Sequence, residues 1–443
     1  EDRSFLVTPD QALALLPAAL REGPPAEGSI WQPLRDWALS RKDTARLLAQ
    51  KAQGFSYRNE AAPLPAAVVR QLFLRGKPFR TSVTRLETYR ACPYQYFLRY
   101  GLRLDERDRS RMDARDFGSY LHAGLHSFGE FMKKQQRQWR DADDEEIDAV
   151  SRDIAEKVAP RVKSGALLSD AAAQYTKSAL DRTFRAALRR FRDWSRSGTA
   201  DTVAMEADFR LRIETEAKRE FFIDCHVDRL DEAAGAAVVC DYKTGTPDLT
   251  LSEIAAGYRL QLITYLMAVL ESGDQSLLPG ALLYIYLRGE TRTVPVPAGG
   301  APAEPQKQLA GYFLSDRDFL AALDSRVGTE GSILPVGYTK TGAFTARSPV
   351  LTLEEMQALF AMTKQRLAAL YESLRAGQIP IRPVRWNKTR SPCAYCLYRS
   401  VCRFDPKLPG NAYEEIAAES DSAVREKLRG APSDPEGQGK ESL

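Results

Sequence analysis

The sequence predicts an α/β fold whose core runs helix, three strands, helix, strand, with further helices around it. Three observations carry that expectation. The hydrophobic period falls from helical to two near residue 203, and three period-two runs then follow one another to residue 245. A helical pattern next leads into one short apolar run, ALLYIYL (281–287). The chain has 443 residues, 44% of them apolar, enough core for two or three domains.

Taken in order, residues 1 to about 80 mix short helical patterns (Ala12 to Arg21, Leu34 to Gln53) with Pro and Gly breaks, and are expected to form a helical lead-in. From Thr81 the run SVTRLETYRACPYQYFLRYGLRL places Ser82 or Thr84 as an N-cap, with Leu86, Tyr89, Tyr96 and Phe97 at helical spacing and Pro93 starting or kinking a turn beside Cys92. A second helix is expected from Asp116 to Gln138, because Phe117, Tyr120, Leu121, Leu125, Phe128 and Phe131 share a face that also carries His122. Residues 133–196 are charged and helical. Their basic run RTFRAALRRFRDWSR (182–196) is either a solvated face or one that contacts phosphates.

The three strands are VAMEADFRLRI (203–213), EFFIDCHVDRLD (220–231) and AAVVCDYKTG (236–245), with a tight turn over Asp231 to Gly235. A helix from Glu253 to Leu270 precedes the fourth strand. Residues 295–350 read as an irregular insertion with one short helix. Leu353 to Ala376 is an amphipathic helix opened by a Thr352/Glu355 capping box and closed by Gly377. Beyond Phe404 the chain turns polar, and its last dozen residues are expected to be disordered. The expected domains are 1–80, 81–405 and a tail, 406–443.

Charge narrows the function. Sixty-three Lys and Arg against 59 Asp and Glu give a net charge of +4, which excludes a uniformly basic nucleic-acid binder and leaves a local basic groove. No apolar run approaches a membrane span, and the opening EDRSFLVTPDQ lacks the regions of a signal peptide, so a cytoplasmic protein with no membrane partner is expected. The first residue is Glu1, and the opening reads like mid-domain material. The chain is therefore expected to be one end of something larger. No G-x-x-x-x-G-K-[ST] is present, so ATP is not expected to bind through a phosphate-cradling loop.

Asp228 sits near the end of one expected strand, and Asp241 with Lys243 at the end of the next. Alternation puts Asp241 and Lys243 on one face and Cys240 and Tyr242 on the other. Two carboxylates brought together on adjacent strands call for a cation, and an oxygen-rich cage suits Mg²⁺ or Mn²⁺. Attack on a phosphodiester there develops negative charge that the lysine ammonium can stabilise. Gln261 and Tyr265 follow at i and i+4 on the next helix.

Six cysteines are too sparse for a secreted disulfide scaffold. Cys393, Cys396 and Cys402 give C-x2-C-x5-C, and Cys92 supplies a fourth thiolate, a set that suits structural zinc or a [4Fe–4S] cluster. Cys225 and Cys240 fall on core strands.

The segments GSYLHAGLHSF (118–128), HVDRLD (226–231), DYKTG (241–245) and QLITY (261–265) resemble the ordered motifs of RecB-type nucleases in the PD-(D/E)XK superfamily. The resemblance implies an αβββαβ core with helical insertions, His122, Asp228 and Asp241 as metal ligands, Lys243 as the catalytic lysine, and Gln261 and Tyr265 in support. His122 alone fits G-x-x-x-H from Gly118. His126, one turn on, is structural or supports it, although the pair could also make a zinc-type HxxxH. Glu206 is a further candidate carboxylate. Where the family has G-R-I-D-R, this chain has Cys225-His226-Val227-Asp228-Arg229, so His226 could approach the site.

One cysteine before the core and three after it, with the flanks SVTRLETYRACPYQYFLRYGLRL and PCAYCLYRSVCRFD, is similar to the iron–sulfur staple of the AddB type in bacterial AddAB helicase–nucleases. That resemblance implies a [4Fe–4S] cluster on Cys92, Cys393, Cys396 and Cys402, an AddA-like motor partner, and cutting of single-stranded DNA during double-strand-break processing. Closing a loop of some 300 residues is worth at most about 5–6 kcal/mol. The alternatives are a stand-alone iron–sulfur exonuclease of the same superfamily and a catalytically silent DNA-end-binding module.

Overall fold

The computed structural model describes residues 8–21, 25, 27–56, 58–75, 78–105, 112–245, 248–272, 276–287, 309–408 and 410–430. Contacts divide the chain into two units, residues 1–61 with 401–412, and residues 62–400 with 413–443.

The smaller unit holds three helices, α1 (Pro9–Leu20), α2 (Trp31–Ser40) and α3 (Lys42–Ala52). Thr8 and Gln11 close a capping box on α1, and Leu13, Leu16, Ala38 and Leu48 make its core. The single helix expected over 34–53 is two, because Arg41 is extended (φ −115°, ψ 130°). The Asn59 amide donates to the carbonyls of Cys402 and Arg403, at 2.9 and 3.1 Å, which ties 401–412 to this unit.

The larger unit opens with α4 (Ala66–Leu72), β1 (Phe79–Ser82), α5 (Val83–Ala91) and α6 (Pro93–Tyr96). Cys92 is extended between α5 and α6, so the apolar face of Leu86, Tyr89 and Tyr96 belongs to two helices rather than one. Next come α7 (Ala114–Lys134), α8 (Asp144–Val158) and α9 (Ala171–Ser197), then β2 (Asp201–Glu214), β3 (Glu220–Ala233) and β4 (Ala236–Lys243). The expected hairpin turn narrows to Ala234 and Gly235, both with positive φ (47° and 71°), the backbone of a two-residue primed turn.

The helix expected from Glu253 is broken into α10 (Leu251–Ala255) and α11 (Gln261–Ser272), with Gly257 in the left-handed region between them (φ 74°). The break puts Gln261 in the first turn of a new helix. Strand β5 (Leu278–Tyr286) follows.

The expected irregular insertion needs correcting. Residues Leu309–Leu314 form a fully buried strand, β6, antiparallel to β5, before the short helix α12 (Arg317–Leu323). A six-residue apolar run lacks the alternation that marks a half-exposed strand. Then come β7 (Val350–Leu351), α13 (Leu353–Arg375) with the expected Thr352/Glu355 capping box, β8 (Val384–Trp386), the short α14 (Arg399–Cys402), β9 (Glu414–Ile416) and α15 (Asp421–Gly430). The polar tail thus contains a helix, whose Val424 and Leu428 join the core while Arg425 and Arg429 pair with Glu355. The last dozen residues lie outside the described ones.

One sheet organises this unit, in the order β1-β3-β4-β5-β6-β7, with β2 on the other edge of β3. Helices α5, α10, α11, α13 and α15 pack with Leu211, Ile223, Val239 and Leu282 in one cluster. Helices α7, α8, α9 and α12 pack with Val238, Cys240, Tyr242 and Leu283 in the other. These are two helical layers around a sheet. One edge of β3 serves two partners: β1 runs parallel to Phe221–Asp224, and β4 runs antiparallel to Arg229–Ala233. Between those two ladders lie Cys225 to Asp228. No helix among the described residues is long and apolar enough to cross a membrane.

Candidate active site

Asp228 occupies the fork where β3 and β4 part. Its Oδ2 accepts the backbone N–H of Tyr242 at 2.8 Å, taking a donor that a longer ladder would have paired. His122, on the inward face of α7, reaches the same peptide from the other layer. Its Nε2 lies 3.0 Å from the Tyr242 carbonyl, and its Nδ1 lies 3.3 Å from Asp228 Oδ2. The imidazole also stands edge-on to the Tyr242 ring, at 5.7 Å.

Glu206 completes the group from β2. It is a non-glycine residue at φ 47°, a conformation that costs roughly 1 kcal/mol or more and turns its side chain out of the strand's alternation. Donor atoms of His122, Glu206 and Asp228 all lie within 4.8 Å of one another. His226 bridges Glu206 and Asp208, with its Nδ1 2.7 Å from Asp208 Oδ1 and its Nε2 against Glu206 Oε2. The departure from G-R-I-D-R therefore puts an imidazole against Glu206, and both carboxylates hold the His226 pKa above its ordinary value.

Asp241 lies beside this group and is held differently. Its Oδ1 accepts from Gln261 Nε2 at 2.7 Å, and Lys243 Nζ pairs with Oδ2 as an ion pair without hydrogen-bond alignment. Gln261 Nε2 also donates to the Tyr265 hydroxyl, at 3.2 Å. Lys243 sits over the Tyr284 ring, 5.2 Å from its centroid. The six expected nuclease residues are thus contiguous, but the tightest donor trio contains Glu206 in place of Asp241.

The electrostatics suit a cation. Burial, and then Asp228, push the Asp241 carboxyl up to about 7, against the pull of Lys243. Burial opposes the charged form of His122, but Asp228, Asp241 and Glu206 outweigh it and raise its pKa. Several acids held together with only an imidazole and one ammonium against them make a donor set of O and N that fits a hard divalent ion.

The basic run on α9 is internal. Arg185 and Arg189 pair with Asp148, Arg189 and Arg192 with Asp144, and Arg190 donates to the Tyr286 and Leu287 carbonyls. These pairings favour the structural reading of that helix over phosphate contact. Arg229, next to Asp228, is buried against Trp139, Phe191 and Trp194 and paired with Asp231 at 2.7 Å.

All six cysteines are free thiols. Cys225 and Cys240 are buried in the core, and burial pushes Cys225 up to about 12. Cys92 joins α5 to α6, its sulfur accepting the Gln95 N–H at 3.5 Å. Cys393 and Cys396 flank a turn of 3₁₀ helix and are partly exposed, near enough for Cys393 to raise the Cys396 pKa beyond the larger effect of burial. Two soft donors at that spacing fit iron or zinc. Cys402 falls in the smaller unit, and the other three cysteines of the expected ligand set fall in the larger.

Sequence reasoning gave Glu206 little weight and missed Glu87. This α5 residue accepts the backbone N–H groups of Leu260 and Gln261, at 2.6 and 3.0 Å. The only local signal is an acidic residue set between the buried Leu86 and Tyr89.

Comparison with known proteins agrees with this geometry. Residues 80–403 match the PD-(D/E)XK nuclease superfamily. The chain is 30% identical over 444 residues to an ATP-dependent helicase/deoxyribonuclease subunit, of the second or B type, from Desulforamulus reducens, covering 96% of this chain. It is 31% identical over 454 residues to the same kind of subunit from Pelotomaculum thermopropionicum, covering 97%, and 29% over 435 to that from Moorella thermoacetica, covering 94%. It spans 37–38% of the length of these relatives.

Proposed function

The chain belongs to the PD-(D/E)XK nuclease superfamily, and from that premise we propose that it is a divalent-metal-dependent deoxyribonuclease domain. Its substrate in this reading is single-stranded DNA released at double-strand breaks, in the cytoplasm, and it works as part of an AddAB-like helicase–nuclease with an AddA-like motor. The relatives' identity as helicase/deoxyribonuclease subunits, and the region shared with them, support the assembly. The observation that carries the chemistry is the meeting of His122, Glu206 and Asp228 within 4.8 Å, beside Asp241 and Lys243.

In this reading His122, Asp228 and Asp241, with Glu206, hold Mg²⁺ or Mn²⁺. When bound, such an ion acidifies a water and offsets charge on the phosphoryl oxygens. The protein's own residues do the rest. Tyr242 fixes Asp228 and His122 through its N–H and carbonyl, so both face the fork before substrate arrives. Gln261 fixes the Asp241 carboxylate, and Tyr265 fixes the Gln261 amide. Lys243 places an ammonium beside the carboxylates, where charge builds on the phosphate.

Cys92, Cys393, Cys396 and Cys402 are proposed as ligands of a structural [4Fe–4S] cluster without redox turnover. The support is their spacing and the two half-exposed thiols of the 392–396 turn.

The test is digestion of single-stranded DNA with Mg²⁺, comparing the native chain with Asp241→Ala. Loss of metal-dependent cleavage in the variant is expected, and equal activity in both would remove this site from the reaction. Iron content and visible absorbance of freshly purified protein test the cluster, and zinc in place of iron would overturn it.

A further inference from the structure

The first turn of α11 is capped by a residue far away in the chain. Helix N-termini leave backbone donors without intrahelical partners. Here Leu260 and Gln261 both give theirs to Glu87 Oε1, at 2.6 and 3.0 Å, across 173 and 174 residues. The helix starts there because Gly257 has turned the chain out of α10. Glu87 stands on α5, beside the buried Leu86, and α5 is anchored on β1, whose ladder ends on β3 four residues before Asp228.

The capped residue is the one that reaches the site. Gln261 has two amide protons, and two acceptors take them, Asp241 Oδ1 at 2.7 Å and the Tyr265 hydroxyl at 3.2 Å. Gln261 therefore has one orientation that serves both, and its Cα is set by the helix end that Glu87 holds. The other Asp241 oxygen lies against Lys243. A continuous path runs from the Glu87 carboxylate through two backbone amides and one side-chain amide to Asp241.

A carboxylate is an expensive cap at this place. Burial raises the Glu87 pKa, although Leu260, Gln261, Arg259 and Lys243 all favour the ionised form. A Ser or Thr in the chain segment before α11 would cap the helix more cheaply. A long acid on another element does what a local cap cannot, because it ties the helix end to the β1–α5 corner.

We infer that Glu87 is a positioning residue for the nuclease site, holding the start of α11 so that Gln261 keeps the Asp241 carboxylate aimed at the reacting centre. The inference rests on the nuclease reading above. It also gives α5 a mechanical role, since the same helix ends at Cys92.

The experiment uses the full chain with Glu87→Ala, Glu87→Asp and Glu87→Gln. Asp keeps the charge but is one methylene shorter, and Gln keeps an acceptor oxygen at full reach. Glu87→Ala and Glu87→Asp should lower kcat on single-stranded DNA by about tenfold or more, as a displaced catalytic group does, with KM within about twofold. Glu87→Gln should recover most of the rate. Amide hydrogen exchange at Leu260 and Gln261 should speed up in Ala and Asp but not in Gln, and this readout needs no activity. If Glu87→Ala fails to fold, Asp against Gln decides. A native kcat in folded Glu87→Asp, unchanged exchange at both amides, or a loss confined to KM each overturns the inference. An inactive native chain, or an active Asp241→Ala, would instead count against the nuclease reading, and the exchange result would still judge Glu87.

Discussion

Replacing Asp241 with Asn should stabilise the metal-free protein at alkaline pH, by an amount that shrinks in acid. Asp241 is 2% exposed, and its carboxyl is pushed up to about 7 by burial and by Asp228. An unfolded aspartate titrates near 4, so the folded state keeps its proton to higher pH than the unfolded state does. Ionising Asp241 thus costs stability as pH rises. The cost is absent below about pH 4, grows between about 4 and 7, and is complete above about 7. Three pK units set a ceiling of about 4 kcal/mol at pH 8, falling below about 2 kcal/mol at pH 5. At roughly 2 °C per kcal/mol for a domain of this size, the Asn protein should melt several degrees above the native one in EDTA at pH 8. Calorimetry at pH 5 and pH 8 measures the gap. A gap that is flat or widens toward acid would refute the argument that burial and Asp228 repulsion govern this carboxylate. Adding Mn²⁺ at pH 8 should close the gap by raising the native melting temperature.

Glu206→Gln should weaken Mn²⁺ binding by about tenfold or more in calorimetric titration, with melting little changed, and native affinity would take Glu206 out of the cation-binding trio. Arg229→Met leaves Asp231 buried without its partner and should cost about 3–5 kcal/mol in denaturant unfolding; adding Asp231→Asn should return much of it, and a double variant no better than the single would show that the ion pair is not the cause. The paired Arg185→Gln and Arg189→Gln changes should cost under about 1 kcal/mol each and leave the salt dependence of single-stranded DNA binding as it was; a shallower slope, by about one unit, would put α9 on the DNA.

What could be read locally was read well. The change of period found β2, β3 and β4, and the spacing of His122, Asp228, Asp241, Lys243, Gln261 and Tyr265 brought together groups that are neighbours in space. Strand β6 and helix α15 escaped because one is uniformly apolar and the other sits in a polar tail; each is fixed by partners elsewhere, β5 and Glu355. The basic run on α9 shows the same limit, since composition counts its arginines but not the aspartates of α8 that pair with them.

By itself, the sequence determined the order of the core elements and the chemistry of the site, because hydrophobic period and side-chain type are properties of a few consecutive residues. The tertiary structure alone decided how that chemistry is held. The fork in β3 that frees the Tyr242 peptide, the left-handed backbone of Glu206 and the Glu87 cap on α11 all depend on groups that meet across tens to hundreds of residues. Such meetings are set by strand register and layer packing, and no short stretch of sequence encodes them.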